Sequence, residues 1–121
     1  MQAIEDFDLY KVAKKLVKDI YKTIKKFPSQ EEFGITSQMR RSSVSIRTNI
    51  SEGFYKKSSN AEFNRYLNMA SGSAGELNCL LDISLDLGFI DKSEFIYLTT
   101  LTKRIFQMIN KLRKKLTENN K

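Results

Sequence analysis

Apolar side chains return at steps of three and four residues through four separate stretches of this chain, and no stretch alternates with a period of two. The fold therefore has to be assembled from helices. The first stretch places Leu9, Val12, Ala13, Leu16, Ile20, Ile24 and Phe27 on one face of a helix expected from Leu9 to Phe27. Lys11, Lys14, Lys15, Lys18, Lys22, Lys25 and Lys26 take the other side, with Asp19 the only acid in that run. Pro28 stops the helix, because its ring clashes with the preceding turn and it has no amide donor. In the second stretch Thr36 is the expected N-cap, Ile35, Met39, Ile46 and Ile50 form the stripe, and the helix unwinds near Gly53. The polar run Lys56 to Asn60 reads as a tight connection.

Ser59 followed by Glu62 is a capping box for a third helix through Phe63, Leu67, Ala70, Ala74, Leu77 and Leu81 to Leu87, with Gly88 as its left-handed stop. Asp91 and Glu94 give a second cap signature ahead of Phe95, Leu98, Leu101, Ile105, Ile109, Leu112 and Leu116, and a frayed basic tail closes the chain. Short connections between long amphipathic helices favour antiparallel neighbours. The expected fold is all-α, an antiparallel up-down-up-down four-helix bundle forming a single domain over residues 1–121.

The second helix fills inward positions with small polar side chains. With Ile46 at the centre of its wheel, Met39, Ser42, Ser43, Asn49, Ile50 and Gly53 fall within about 60°. Folded as a hairpin about the turn near Lys57, this helix sets Ser42 to Ser45 beside Ser71, Gly72, Ser73 and Ala74. Small side chains let two helix backbones approach more closely than usual, and a serine can return its hydroxyl to its own helix's i−4 carbonyl. Asn49 and Glu52, one turn apart, are positioned to cap or cross-link the end of this hairpin.

The third helix is apolar over too wide an arc for one bundle. Tyr66, Met69, Leu80, Ile83 and Leu87 lie round one flank of the inward stripe, Val44 faces away from the core on the second helix, and Tyr10, Val17 and Tyr21 broaden the first. These residues are the expected self-association surface, the alternative being an imperfectly amphipathic monomer.

Charge and chemistry bound the function. The net charge is +7, from 21 Lys and Arg against 14 acids. That surplus favours a polyanionic partner, unless the lysines merely solubilise helix faces. Arg40, Arg41 and Arg47 on the second helix, Lys56, Lys57 and Arg65 round the hairpin turn, and Lys14, Lys18, Lys22 and Lys25 on the first helix are the candidate contacts to nucleic-acid phosphates. Alternatively, the arginines tie subunits together through Glu52, Glu62 or Glu76.

The chain has no histidine, which removes the Glu-x-x-His sites of di-iron bundles, histidine-bearing zinc sites and His-dependent acid–base catalysis, including that of helical-bundle ribonucleases of the HEPN type. Without histidine the serines have no evident activating base. Asp82 and Asp86 read as solvated carboxylates and the lone Cys79 as a shielded helix residue, while Gly72 to Gly75 lies inside a helix and not in a phosphate loop. No catalytic residue, metal site or cofactor is expected. The first residues lack the pattern of a signal peptide, and no apolar run approaches the roughly 20 residues that span a bilayer, so a cytoplasmic protein without a membrane partner is expected.

Phe27 and Pro28, the segment Glu31 to Phe33, then Gln38, Arg40, Arg41, Ser42, Ser45, Ile46, Asn49, Ile50, Glu52 and Gly53, and finally Ser73, Glu76 and Leu77 carry a family resemblance over nearly the whole chain. In these positions the chain resembles the four-helix-bundle proteins encoded within intervening sequences of bacterial 23S ribosomal RNA genes. It is also similar to the accessory variability determinant of diversity-generating retroelements, a basic pentameric bundle that binds nucleic acid and a reverse transcriptase. The resemblance implies a ring-shaped homopentamer without catalytic activity that associates with RNA. Ser51 departs from the alanine more usual in the family. Two functions are consistent with the residues: an oligomeric protein holding structured RNA by its phosphates, or a protein-interaction module or accessory protein whose charge serves steering and solubility.

Overall fold

The computed structural model describes residues 3–118, which form the helices α1 (Asp8–Ile24), α2 (Ile35–Tyr55), α3 (Asn60–Asp86) and α4 (Lys92–Glu118), with 3-10 turns at Ile4–Asp6 and Ser29–Glu31. No strand occurs among the described residues. Each helix packs on its two neighbours in the order α1, α2, α3, α4 and back to α1, as the expected four-helix bundle requires. The shared core is built from the periodic residues, with Leu16, Ile20, Met39, Ile46, Ile50, Leu67, Leu77, Leu81, Ile105 and Ile109 fully enclosed.

The most extensive helix contact is α2 against α3, where the small residues lie. The Ser45 and Ser73 hydroxyls meet across this seam at 2.8 Å. Ser42 and Ser43, both buried, donate to the carbonyls of Met39 and Arg40 at 3.2 and 3.0 Å, three residues back and not the expected four. Asn49 donates to the Ser45 carbonyl and hydroxyl, and Glu52 pairs with Lys56 at 3.9 Å, so neither reaches α3 directly. Further round the bundle, Thr102 donates to Asn78 at 2.6 Å, and Arg113 donates to Asn64 and Asn68, joining α4 to α3.

Two caps match the sequence expectation. Ser59 accepts from the Glu62 amide at 3.2 Å, and Asp91 and Glu94 accept reciprocally from each other's amides at 2.8 and 3.1 Å. Gly88, with φ +76°, ends α3 in the left-handed region.

Three helix ends differ. α1 stops at Ile24 and tightens into three-residue turns, Lys26 donating to the Thr23 carbonyl and Phe27 to the Ile24 carbonyl. Pro28 follows, and the helical region is disfavoured before a proline. Phe27 instead folds into the loop against the Phe89 ring, centroids 5.3 Å apart. α2 starts two residues earlier than the Thr36 cap implies. Gly34 occupies the cap position, while Thr36 is buried in the first turn with its hydroxyl unpaired. α2 also does not unwind at Gly53: it runs on to Tyr55, and Gly53 is buried against α3. The basic C-terminal stretch remains helical to Glu118, and the last three residues of the expected frayed tail lie outside the described residues, as do residues 1 and 2 of the expected domain. Cys79 is exposed, not shielded, because it points directly away from the core stripe of Ala70, Ala74, Leu77 and Leu81.

Candidate functional site

Lysines four, four and three residues apart share one stripe of a helix, so Lys14, Lys18, Lys22 and Lys25 form a row along α1 about 16 Å long. Packing of α1 on α2 turns this row toward the arginines. Lys18, Lys22 and Lys25 line one depression with Val17 and Tyr21. Arg40 and Arg41 line the adjoining one with Tyr21, Val44, Ser45 and Thr48. Tyr21 belongs to both, which makes them one groove with an apolar floor and a cationic rim.

Among the described residues no carboxylate lines either half of the groove. Asp19, the acid within the lysine run, is turned to the other side of α1, where it accepts from the Tyr97 hydroxyl at 2.6 Å and lies 3.5 Å from Lys15. Tyr97, and after it Asp19, raises the Lys15 ammonium above the usual lysine range. Among the described residues Lys14, Lys18, Lys22, Lys25, Arg40 and Arg41 have no ion-pair partner. Unneutralised like charges along a groove create a potential that attracts a polyanion, and the cost of their mutual repulsion falls when one binds.

The remaining cations are already engaged. Arg47 donates to the Tyr10 hydroxyl at 3.1 Å and lies 5.1 Å from its ring centroid. At the far end of α2, about 22 Å from Arg41, Lys56 donates to Tyr66 and pairs with Glu52, Arg65 donates to Glu62 at 3.0 Å, and Lys57 sits 3.4 Å over the Phe54 ring. Tyr66 raises the Lys56 ammonium above its ordinary value, and Glu62 raises the Arg65 guanidinium above its own. Sequence reasoning grouped both ends as one positive surface. The structure divides them into an acid-free groove and a hairpin end whose cations already have partners.

The expected self-association residues also separate. Met69, Ile83 and Leu87 are exposed along one side of α3, at 45%, 40% and 57%. Leu80, expected beside them, is buried in the core, because the serine-lined α2 sits close enough to cover it. Val44 is half-buried in the groove floor, and Tyr66 is half-buried at the hairpin with its side chain against Gly53. Tyr21, which the sequence places with Tyr10 and Val17 on the expected self-association surface, lines both halves of the groove, and its position on the lysine stripe follows from helical spacing.

Among the described residues there is no group of three or more histidine, cysteine or acidic side chains placed to hold a metal ion, and no helix long and apolar enough to cross a membrane. A family model described as 23S rRNA-intervening sequence protein matches residues 5–111. Among solved structures, the chain is similar to a crystal structure of a protein with unknown function from the S23 ribosomal protein family of Bacteroides thetaiotaomicron. The TM-score is 0.80 and the identity 23%, over 88% of this chain and 98% of that one, a likeness of fold. Comparison with curated proteins gives no match.

Proposed function

Since this chain belongs to the 23S rRNA-intervening sequence protein family, we propose that it is a non-enzymatic RNA-binding protein whose α1–α2 groove holds the phosphate backbone. The observation that carries this reading is the acid-free rim of Lys18, Lys22, Lys25, Arg40 and Arg41 with Asp19 turned away from it. Guanidinium forks suit phosphate oxygens in pairs, and lysines in a row suit successive phosphates as point charges. Neutralised phosphates release counterions, so affinity for a structured RNA is expected to fall steeply and linearly in log–log form as salt rises. Fluorescence anisotropy between low and physiological salt measures this. A flat response overturns the reading, as does a single stoichiometric protein partner that survives nuclease treatment while RNA fails to bind.

A second observation favours self-association: Met69, Ile83 and Leu87 expose large apolar side chains on one side of α3. A second copy of the chain is the proposed cover for that flank, consistent with a cytoplasmic homo-oligomer. Sedimentation should then give a multiple of 14.0 kDa, and Ile83→Glu with Leu87→Glu should weaken association at least tenfold, because a charge buried without a partner is costly. A wild-type protein that sediments as a monomer at about 100 µM, far above working concentrations for a specific interface, rules out this assembly.

A further inference from the structure

Resting on the RNA-binding reading of the same groove, we infer that its occupant is an unpaired stretch of RNA, with one base stacked on Tyr21. Lysine and arginine rims serve any phosphate backbone, paired or not, so they do not choose between duplex and single strand. The floor does. An aromatic ring held partly open between rows of cations is the arrangement that takes an unstacked base, and a base within a duplex has both faces already covered.

Tyr21 is distinguished from the other tyrosines by what its neighbours leave free. Tyr10, Tyr66 and Tyr97 each spend their hydroxyl on a protein partner, Arg47, Lys56 and Asp19 respectively. Tyr66 is further flanked by two cations, at 5.0 and 4.5 Å from its ring. Tyr55 is the most exposed at 70%, but it leans edge-on against Phe54, and its surroundings include Glu5 and Glu52, which repel phosphate. Tyr21 is 38% exposed, and its hydroxyl has no partner among the described residues. It sits at the junction of the lysine-lined and arginine-lined halves of the groove.

Arg40 lies 5.9 Å from the Tyr21 ring centroid, near the outer limit of a cation–π contact, so it is loosely held and free to turn to a phosphate. Thr48 and Val44, both small side chains, line the same half of the groove as the ring. A strand laid along α1 would therefore meet phosphate partners on both sides of a single stacking position. One unpaired base between contacted phosphates is all the geometry requires, so a loop or bulge in a folded RNA satisfies it.

The test compares three RNA probes of equal length by anisotropy: a single strand, the same strand with its central nucleotides abasic, and a perfect duplex. Wild type is expected to bind the single strand best and to lose about tenfold on the abasic strand. Tyr21→Ala should lose a similar factor on the intact strand, leave duplex and abasic binding unchanged, and keep the salt slope. Tyr21→Phe, which keeps the ring, should bind as wild type. Salt-dependent binding that is equal on all three probes, or unchanged in Tyr21→Ala, overturns the stacking proposal while leaving the phosphate groove standing. Failure of every probe to bind in a salt-dependent way removes the groove and the stacking proposal together.

Discussion

Glutamine at Lys18, Lys22, Arg40 and Arg41 together is expected to lower RNA affinity about a hundredfold or more at physiological salt, with the bundle intact. Each phosphate neutralised on a single strand contributes about 0.7 to the slope of log affinity against log salt, so removing four contacts flattens it by about 3. At roughly 1 kcal/mol for each solvent-accessible contact, the combined loss is about 4 kcal/mol, and coupling between neighbouring charges makes a hundredfold a conservative floor. Stability should barely move. All four side chains lie on the rim, none pairs with an acid, and the substitutions take four units from a net charge of +7 and so relieve repulsion. Lys56→Gln with Arg65→Gln is the matched control. Those cations already serve Glu52, Glu62 and Tyr66, so their loss should change affinity less than about threefold. Equal losses from the two sets would mean that diffuse charge, not the groove, attracts RNA.

The groove shows where a one-dimensional reading stops. That Lys14, Lys18, Lys22 and Lys25 share a stripe follows from helical spacing alone. That Arg40 and Arg41 face the same groove, while Arg47 is taken by Tyr10 and Asp19 by Tyr97, depends on how α1 rolls against α2 and α4, which no local pattern encodes. The helices were legible for the complementary reason. Capping boxes and the Gly88 stop are local devices, satisfied within a few residues, and they stand where the sequence puts them.

The ends that shifted are those where local and tertiary signals compete. Phe27 keeps the apolar period beyond the helix because periodicity reports burial, and its ring is buried in a loop. Thr36 has the chemistry of a cap but lies within the first turn, two residues past the Gly34 cap and covered by the bundle. Leu80 has the angular position of an exposed flank residue, yet the close approach of α2 encloses it. The small side chains that permit this approach were readable, whereas its consequence for a neighbour was not.

Gly53→Leu is expected to destabilise the protein by about 3 kcal/mol, lowering its melting temperature by roughly 10 °C or more. Gly53 lies within α2, where glycine is a poor helix former and any larger residue gains up to about 1 kcal/mol from helix propensity. Packing opposes that gain. A Cβ at this position would lie 3.1 Å from Phe63 Cδ1 and 3.1 Å from Tyr66 Cβ. The phenylalanine ring can tilt, but Tyr66 Cβ is fixed to the α3 backbone, so a branched side chain has to separate the two helices near their turn. That separation also strains the Phe7, Phe54 and Phe63 ring cluster, whose centroids lie 5.3 and 6.4 Å apart, at the same end of the bundle. Gly72 supplies the contrast. It too is helical, in α3, but a Cβ there meets nothing within 4 Å, so Gly72→Ala should stabilise by about 0.5–1 kcal/mol through propensity alone. Thermal or urea unfolding of the two variants should therefore move in opposite directions. If Gly53→Leu unfolds at or above the wild-type midpoint, α2 and α3 are not held as closely as the 3.1 Å contacts require, and the reason for the serine-lined seam falls with it.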